Sequence, residues 1–119
     1  MSTIGKNDEL LKYLSLHKLY ILDSELFKID IFEKGNTPSI ELYFKLSNKS
    51  KLLKVKFTNV KEYSFYYRSD HYFYNVERCK FFKKDDLFYL SVDPYNEAEE
   101  INDEDQDFIL CNEIEGYIQ

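Results

Sequence analysis

Residues 40–46, Ile-Glu-Leu-Tyr-Phe-Lys-Leu, decide the fold class, because an apolar side chain occupies every second position of this stretch. Successive side chains of an extended chain point to opposite faces, so a period of two predicts a β-strand with one buried face. A second alternating run precedes it at Phe27, Ile29 and Ile31, and the turn residues Gly35-Asn36-Thr37-Pro38 lie between the two. Together the two runs predict a β-hairpin.

Further strands follow at intervals of about ten residues, a spacing typical of all-β domains. Five segments rich in apolar and aromatic residues have strand character: 53–57, 63–67, 72–82, 87–92 and 108–111, which 114–118 can extend. The segment Lys83-Lys84-Asp85-Asp86 has the composition of a hairpin turn. Seven short strands predict a mostly β domain, either an antiparallel β-sandwich or a strongly curled sheet.

The residues before the first strand predict one short helix. Asn7 can cap it, and Leu10, Leu11 and Leu14 give it an apolar face over about two turns. A helix this short is marginal alone, so it has to dock on the sheet.

A chain of 119 residues has the size of one domain, so residues 1–119 are predicted to fold as a single unit. No stretch is apolar enough for a secretory signal or a membrane span, and two cysteines are too few for a disulfide framework. These features predict a cytoplasmic protein with no membrane partner and with Cys79 and Cys111 reduced.

Charge is divided unevenly along the chain. Residues 1–84 contain all 16 Lys and Arg against 10 Asp and Glu, a net charge of plus six, whereas residues 85–119 contain 12 Asp and Glu and no Lys or Arg. Residues 96–106 are acidic and almost free of apolar side chains, which predicts an acidic surface loop.

Two interpretations of this loop are open. It can fold back over the basic strands and neutralise them, or it can form a surface that attracts a basic partner and accelerates encounter. The acidic candidates for partner binding are Glu97, Glu99, Glu100, Asp103, Glu104, Asp105 and Asp107. Asp103, Asp105 and Asp107 also alternate as at the start of a calcium loop, but Phe108 and Ile114 stand where such a loop needs Gly and Glu. No cofactor is therefore predicted.

The residue types needed for catalysis are scarce. His17 and His71 are the only histidines, and His71 lies in the turn-like segment Ser69-Asp70-His71, where neighbouring side chains do not converge. No glycine-rich loop of the kind that holds phosphate occurs. The sequence accordingly predicts a protein that is not an enzyme.

The middle of the chain offers an alternative function. Aromatic side chains including Tyr66, Tyr72 and Tyr74 occur among basic residues within 63–80. Aromatic rings interleaved with positive charge can stack the bases of a single-stranded nucleic acid. The same rings can equally serve as core or as a protein interface, in which Tyr is a frequent hot-spot residue.

Several segments resemble a group of small bacterial proteins, some of which are classed with the immunity proteins of polymorphic toxin systems. The segments are Asp23-Ser24-Glu25-Leu26, Val55-Lys56-Phe57-Thr58-Asn59-Val60, Tyr89-Leu90-Ser91-Val92-Asp93-Pro94-Tyr95 and Asp107-Phe108-Ile109. Many members of the group have His before the Asp-Ser pair, where this chain has Leu22. The resemblance implies a protein that binds a toxin domain tightly and performs no catalysis.

The predicted function is therefore a non-catalytic protein-interaction module, of immunity type, that binds a basic toxin or effector domain through its acidic surface. Tyr66, Tyr72 and Tyr74 join the acidic residues as candidate partner-binding positions. The alternative is a single-stranded nucleic-acid binder that uses residues 63–80. An uncovered edge strand would also allow a homodimer.

Overall fold

The three-dimensional structure is a computed structural model that describes residues 1–47, 50–66 and 75–119. It contains one helix and seven strands in these ranges, and 59% of the described residues are strand. In chain order they are β1 (Ser2–Lys6), α1 (Asp8–Leu16), β2 (Glu25–Lys34), β3 (Thr37–Leu46), β4 (Lys51–Ser64), β5 (Lys80–Lys84), β6 (Leu87–Asp93) and β7 (Gln106–Ile118). Within the described ranges, no helix has the length and apolar character required to cross a membrane.

All seven strands belong to one antiparallel sheet with the order β2-β3-β4-β7-β6-β5, and β1 pairs with the last part of β7. The mostly β prediction is confirmed, and the strands form one open antiparallel sheet and not the two stacked sheets of a sandwich. Both predicted hairpins are present, β2–β3 with Gly35 at a φ of 70° and β5–β6 with Asp85 at a φ of 57°. Glu25, at the start of β2, also forms an isolated antiparallel bridge with Asn75.

Strand boundaries differ from the sequence prediction in three places. The strand predicted at 53–57 and the first two residues of the one predicted at 63–67 belong to a single strand, β4, in which Asn59 has a φ of 52° and the register with β7 shifts between Val60 and Glu62. This bulge breaks the period of two without ending the strand. β1 was not predicted, and β5 begins only at Lys80, while residues 72–74 of the predicted strand lie outside the described residues.

The hydrophobic core lies on one face of the sheet and is closed by α1. Leu10 and Leu14 of the helix are buried against it, as the sequence pattern predicts. Asn7 precedes the helix, but its side chain accepts a hydrogen bond from the Ile114 backbone N–H at 2.9 Å instead of capping α1. The helix packs so closely that a Cβ at Gly5 would lie 2.9 Å from the Leu10 backbone nitrogen.

The face of the sheet opposite this core, here called the outer face, has two halves. The covered half consists of β5, β6 and the first part of β7, and residues 94–105 pass over it. The open half consists of β3, β4 and the last part of β7, with β1 and β2 beside them. It has no such loop across it in the described ranges.

Candidate functional site

The acidic loop covers part of its own sheet. Phe88, Leu90 and Val92 of β6 face the core, so Tyr89 and Ser91 between them face outward, yet both are buried. The Tyr89 ring lies 5.6 Å from that of Phe82 and 5.8 Å from that of Phe108, measured between centroids. These outer rings are shielded because the chain between β6 and β7 folds back over them.

One carboxylate organises that loop. Asp105 accepts hydrogen bonds from Lys80 Nζ at 3.1 Å to each oxygen, from the Tyr89 hydroxyl at 2.7 Å, and from the backbone N–H groups of Tyr95 at 2.9 Å and Asn102 at 3.1 Å. The donors come from β5, from β6 and from both sides of the loop. Asp105 therefore fixes the loop to the strands beneath it.

The electrostatics of this site follow from burial and hydrogen bonding. Burial alone would raise the pKa of Asp105, but the bonds from the Tyr95 N–H, the Tyr89 hydroxyl, the Asn102 N–H and Lys80 hold that pKa below its usual value. Burial, and then the bond to Asp105, raises the pKa of Tyr89. The Lys80 and Asp105 side chains are 1% and 0% exposed, so the pair is stable only because each polar group has its partner.

Sequence reasoning missed the role of Lys80, which it counted with the basic residues around the aromatic cluster. Lys80 is buried, and besides the ion pair with Asp105 it donates to the Glu100 carbonyl oxygen at 2.8 Å. The only sequence signal is its position in β5 immediately before the apolar pair Phe81-Phe82, where the period of two places it on the same face as Phe82.

Two of the predicted partner-binding carboxylates are not exposed. Asp105 is buried and accepts the hydrogen bonds from Lys80, Tyr89 and the loop backbone. Asp107 is 3% exposed and accepts a hydrogen bond from the Tyr66 N–H at 2.8 Å. A partner could not reach either carboxylate directly, so the two residues do not belong to an exposed acidic surface. Asp103 points to solvent, so the three alternating Asp residues do not converge as calcium ligands would, and the described ranges contain no group of three or more His, Cys, Asp or Glu placed to hold a metal ion.

The other five acidic candidates lie on the surface. None of them forms an ion pair with the residues that the structure describes. They are Glu97, Glu99, Glu100, Asp103 and Glu104. Tyr95 and Ile101 stand among them with 56% and 40% of their surface exposed. We call these seven residues the acidic surface; it combines unneutralised charge with apolar area.

A groove borders the acidic surface. It has a volume of about 600 Å³ and lies between segments 93–95 and 103–106. Arg78 also lines it and donates to the Tyr95 carbonyl oxygen at 3.1 Å. A guanidinium of this chain thus already rests against the edge of the acidic surface.

The aromatic face proposed for nucleic acid is described only in part. Tyr66 is 48% exposed and Tyr63 is 39% exposed, whereas Phe65 packs against the core. Tyr72 and Tyr74 lie outside the described residues. Because Lys80 is buried in an ion pair, it does not contribute positive charge to this face.

The histidine and cysteine side chains that the structure describes take part in packing. His17 stacks on Tyr13 with ring centroids 3.9 Å apart, and His71 lies outside the described residues. Cys79 and Cys111 are free thiols, and burial raises the pKa of each to about 12. A thiol with so high a pKa has almost no thiolate at neutral pH, which makes it a poor nucleophile.

Comparisons of the chain with protein-family models, curated proteins and solved structures found no match.

Proposed function

We propose that this chain is a non-catalytic protein-interaction module, of immunity type, whose acidic surface binds a basic protein domain such as a toxin. The observation that supports it is the pairing of two properties in one loop. Five carboxylates are exposed without an ion-pair partner in the described ranges, and the backbone that carries them is fixed by Asp105.

A fixed loop favours binding because little conformational entropy is lost when a partner docks. Unpaired carboxylates attract a basic surface over several ångströms and raise the association rate, an effect that salt weakens. Tyr95 and Ile101 supply the apolar contact that such a surface needs at its centre, and Tyr is a common hot-spot residue.

The test begins by asking whether a toxin-like reading frame lies immediately upstream of the gene, and its absence would count against the immunity type. The domain that such a frame encodes, purified in an inactive form, is the partner in the binding assay. Association is measured by surface plasmon resonance at about 20 mM and about 300 mM NaCl, concentrations that differ several-fold in screening length. The quadruple variant Glu99→Gln, Glu100→Gln, Asp103→Asn and Glu104→Gln should associate roughly tenfold or more slowly at low salt and lose most of its salt dependence.

A matched control removes the same charge elsewhere. Glu33, Glu77, Asp85 and Asp86 are exposed and lie outside the acidic surface, so their amide variants should keep nearly the original association rate. Equal slowing in the two quadruple variants would refute the acidic surface as the docking site. Circular dichroism checks that each variant is folded.

The nucleic-acid alternative is examined with the same proteins. The interaction-module proposal predicts that single-stranded oligonucleotides are not retained in filter binding at low salt, because the acidic surface repels phosphates. Retention that disappears in a Tyr63→Ala and Tyr66→Ala variant would favour the alternative instead.

A further inference from the structure

The open half of the outer face contains a polar cavity of about 350 Å³, a size within the range of small-ligand sites. It lies where β1, β3, β4 and β7 meet, next to the bulge at Asn59. Its lining is almost entirely polar and comprises Lys6, Thr37, Ser39, Lys56, Thr58, Asn59, Glu113, Ile114 and Glu115.

The carboxylates of this face are engaged by neutral hydroxyl groups. Three glutamates on β3 and β7 each accept a hydrogen bond from a side chain of the same strand or of the neighbouring one. The pairs are Tyr43 to Glu41 at 2.9 Å, Thr58 to Glu113 at 3.2 Å, and Tyr117 to Glu115. The acids are thereby held in place without using a lysine.

The two lysines of the cavity lie beside glutamates but form no ion pair with them. Lys56 and Lys6 both stand opposite Glu115 in the strand register, one on each side of β7, and Lys56 also stands opposite Glu41 of β3. Neither forms an ion pair within 4 Å, whether with Glu115 or with another residue in the described ranges. Two other lysines of the face have a partner: Lys28 pairs with Asp30 at 3.5 Å, and Lys54 lies 4.4 Å above the Tyr117 ring.

We propose that this cavity binds a small phosphorylated polyol, with the phosphate held between the Lys6 and Lys56 ammonium groups. Lysine is a frequent phosphate ligand because its ammonium group acts as a point charge. The Asn59 amide, the Thr37 hydroxyl and the remaining lone pairs of Glu113 lie in the same cavity and suit the hydroxyl groups of the polyol. The site is separate from the acidic surface, so its failure leaves the proposed function untouched.

The test is a calorimetric and NMR titration of the whole chain with glucose 6-phosphate at low salt, with inorganic phosphate and glucose as separate ligands. Glucose 6-phosphate should bind more tightly than phosphate, and glucose should not bind measurably. Lys56→Gln should weaken binding of glucose 6-phosphate by about tenfold or more, because a charge-assisted hydrogen bond is lost.

Lys54→Gln is the matched control, since it removes the same charge from the same strand and face but outside the cavity. It should leave the affinity nearly unchanged. Equal loss in the two variants, or no shift of the Lys6, Lys56 and Asn59 amide resonances on titration, would overturn the site. Equal affinity for phosphate and glucose 6-phosphate would overturn the choice of a polyol.

Discussion

The covered and open halves of the outer face differ in how their outward-facing side chains are shielded from solvent. Both are the outward side of strands whose other side is core, so each has to deal with polar and aromatic side chains next to a hydrophobic layer. In the covered half, rings such as Tyr89 and Phe82 are buried under a loop that one ion pair holds down. In the open half, long side chains such as Lys54 and Tyr117 lie half-buried against one another.

The difference shows that carboxylates of one loop can have opposite roles. Asp105 is buried with four donor groups, whereas Asp103, two residues earlier, is exposed. The structure is therefore compatible with both interpretations of the acidic loop, the covering of its own strands and the attraction of a basic partner. The loop covers its own strands through Asp105, and it leaves five other carboxylates facing outward.

The largest expected effect comes from removing the ion pair of the covered half. Asp105→Ala leaves the buried Lys80 without a counter-charge and removes the acceptor of Tyr89, so it should lower the free energy of unfolding by about 3–5 kcal/mol. Urea denaturation followed by circular dichroism measures this. Glu104→Ala changes an exposed neighbour and should stay within about 0.5 kcal/mol of the unmutated chain.

If Asp105→Ala does not fold, the double variant Lys80→Met and Asp105→Leu separates the two explanations. It removes both charges, so no buried charge is left unpaired and much of the stability should return. A double variant as unstable as Asp105→Ala would mean that the loop depends on something other than this ion pair.

Acid should loosen the covered half before the open half. The pKa of Asp105 is lowered in the folded chain, so its contribution to stability is complete above the ordinary Asp pKa of about 4 and is lost as the pH falls through the lower, folded value. Hydrogen exchange of the Tyr95 and Asn102 amides, which donate to Asp105, should therefore lose protection only below about pH 4. Protection lost between pH 5 and 7 would contradict the assignment, and amides of β4 serve as the internal reference.

The smallest expected effect is a loss of folding stability at high pH, and it arises in the open half. Burial, followed by the bonds to Glu41 and Glu115, raises the pKa of Tyr43 and Tyr117 to about 12. Their neutral forms stabilise the fold below the ordinary Tyr pKa of about 10, and this stabilisation is lost as the pH rises towards 12. Denaturation measured at several pH values should show the decline, and the variant Tyr43→Phe and Tyr117→Phe should flatten it. A decline of unchanged slope in that variant would assign it to other groups.

The fold class was accessible from the sequence because segments such as 40–46 carry a clean period of two. β1 was not, since Ile4 is its only large apolar residue and its pairing with β7 spans almost the whole chain. β4 was divided in error because the bulge at Asn59 shifts the alternation without ending the ladder. Local pattern thus predicts strands well where they are regular and fails where a bulge or a distant partner decides.

The surfaces were harder to predict for the same reason. Nothing in the acidic run distinguishes Asp105 from Asp103, because burial of Asp105 depends on Lys80, 25 residues away along the chain. The hydrogen-bonded Glu–Tyr pairs of the open half do have a signal in the sequence, although they were not predicted from it. Glu41 and Tyr43 on β3 are two residues apart, as are Glu115 and Tyr117 on β7. This spacing places an acid and a phenol on the same strand face, where the hydrogen bonds between them are found.

The position of β7 has a consequence for how the chain acquires its structure. β7 is the last strand in chain order, yet it lies in the middle of the sheet, between β4 on one side and β6 and β1 on the other. Without β7 these strands would not be joined into one sheet. During synthesis the β2–β3–β4 meander and the β5–β6 hairpin emerge first, each with an edge that waits for a strand still to be made. Assembly of the sheet therefore has to be a late event, completed after translation has passed residue 118, and a nascent chain stalled before β7 would be exposed to aggregation.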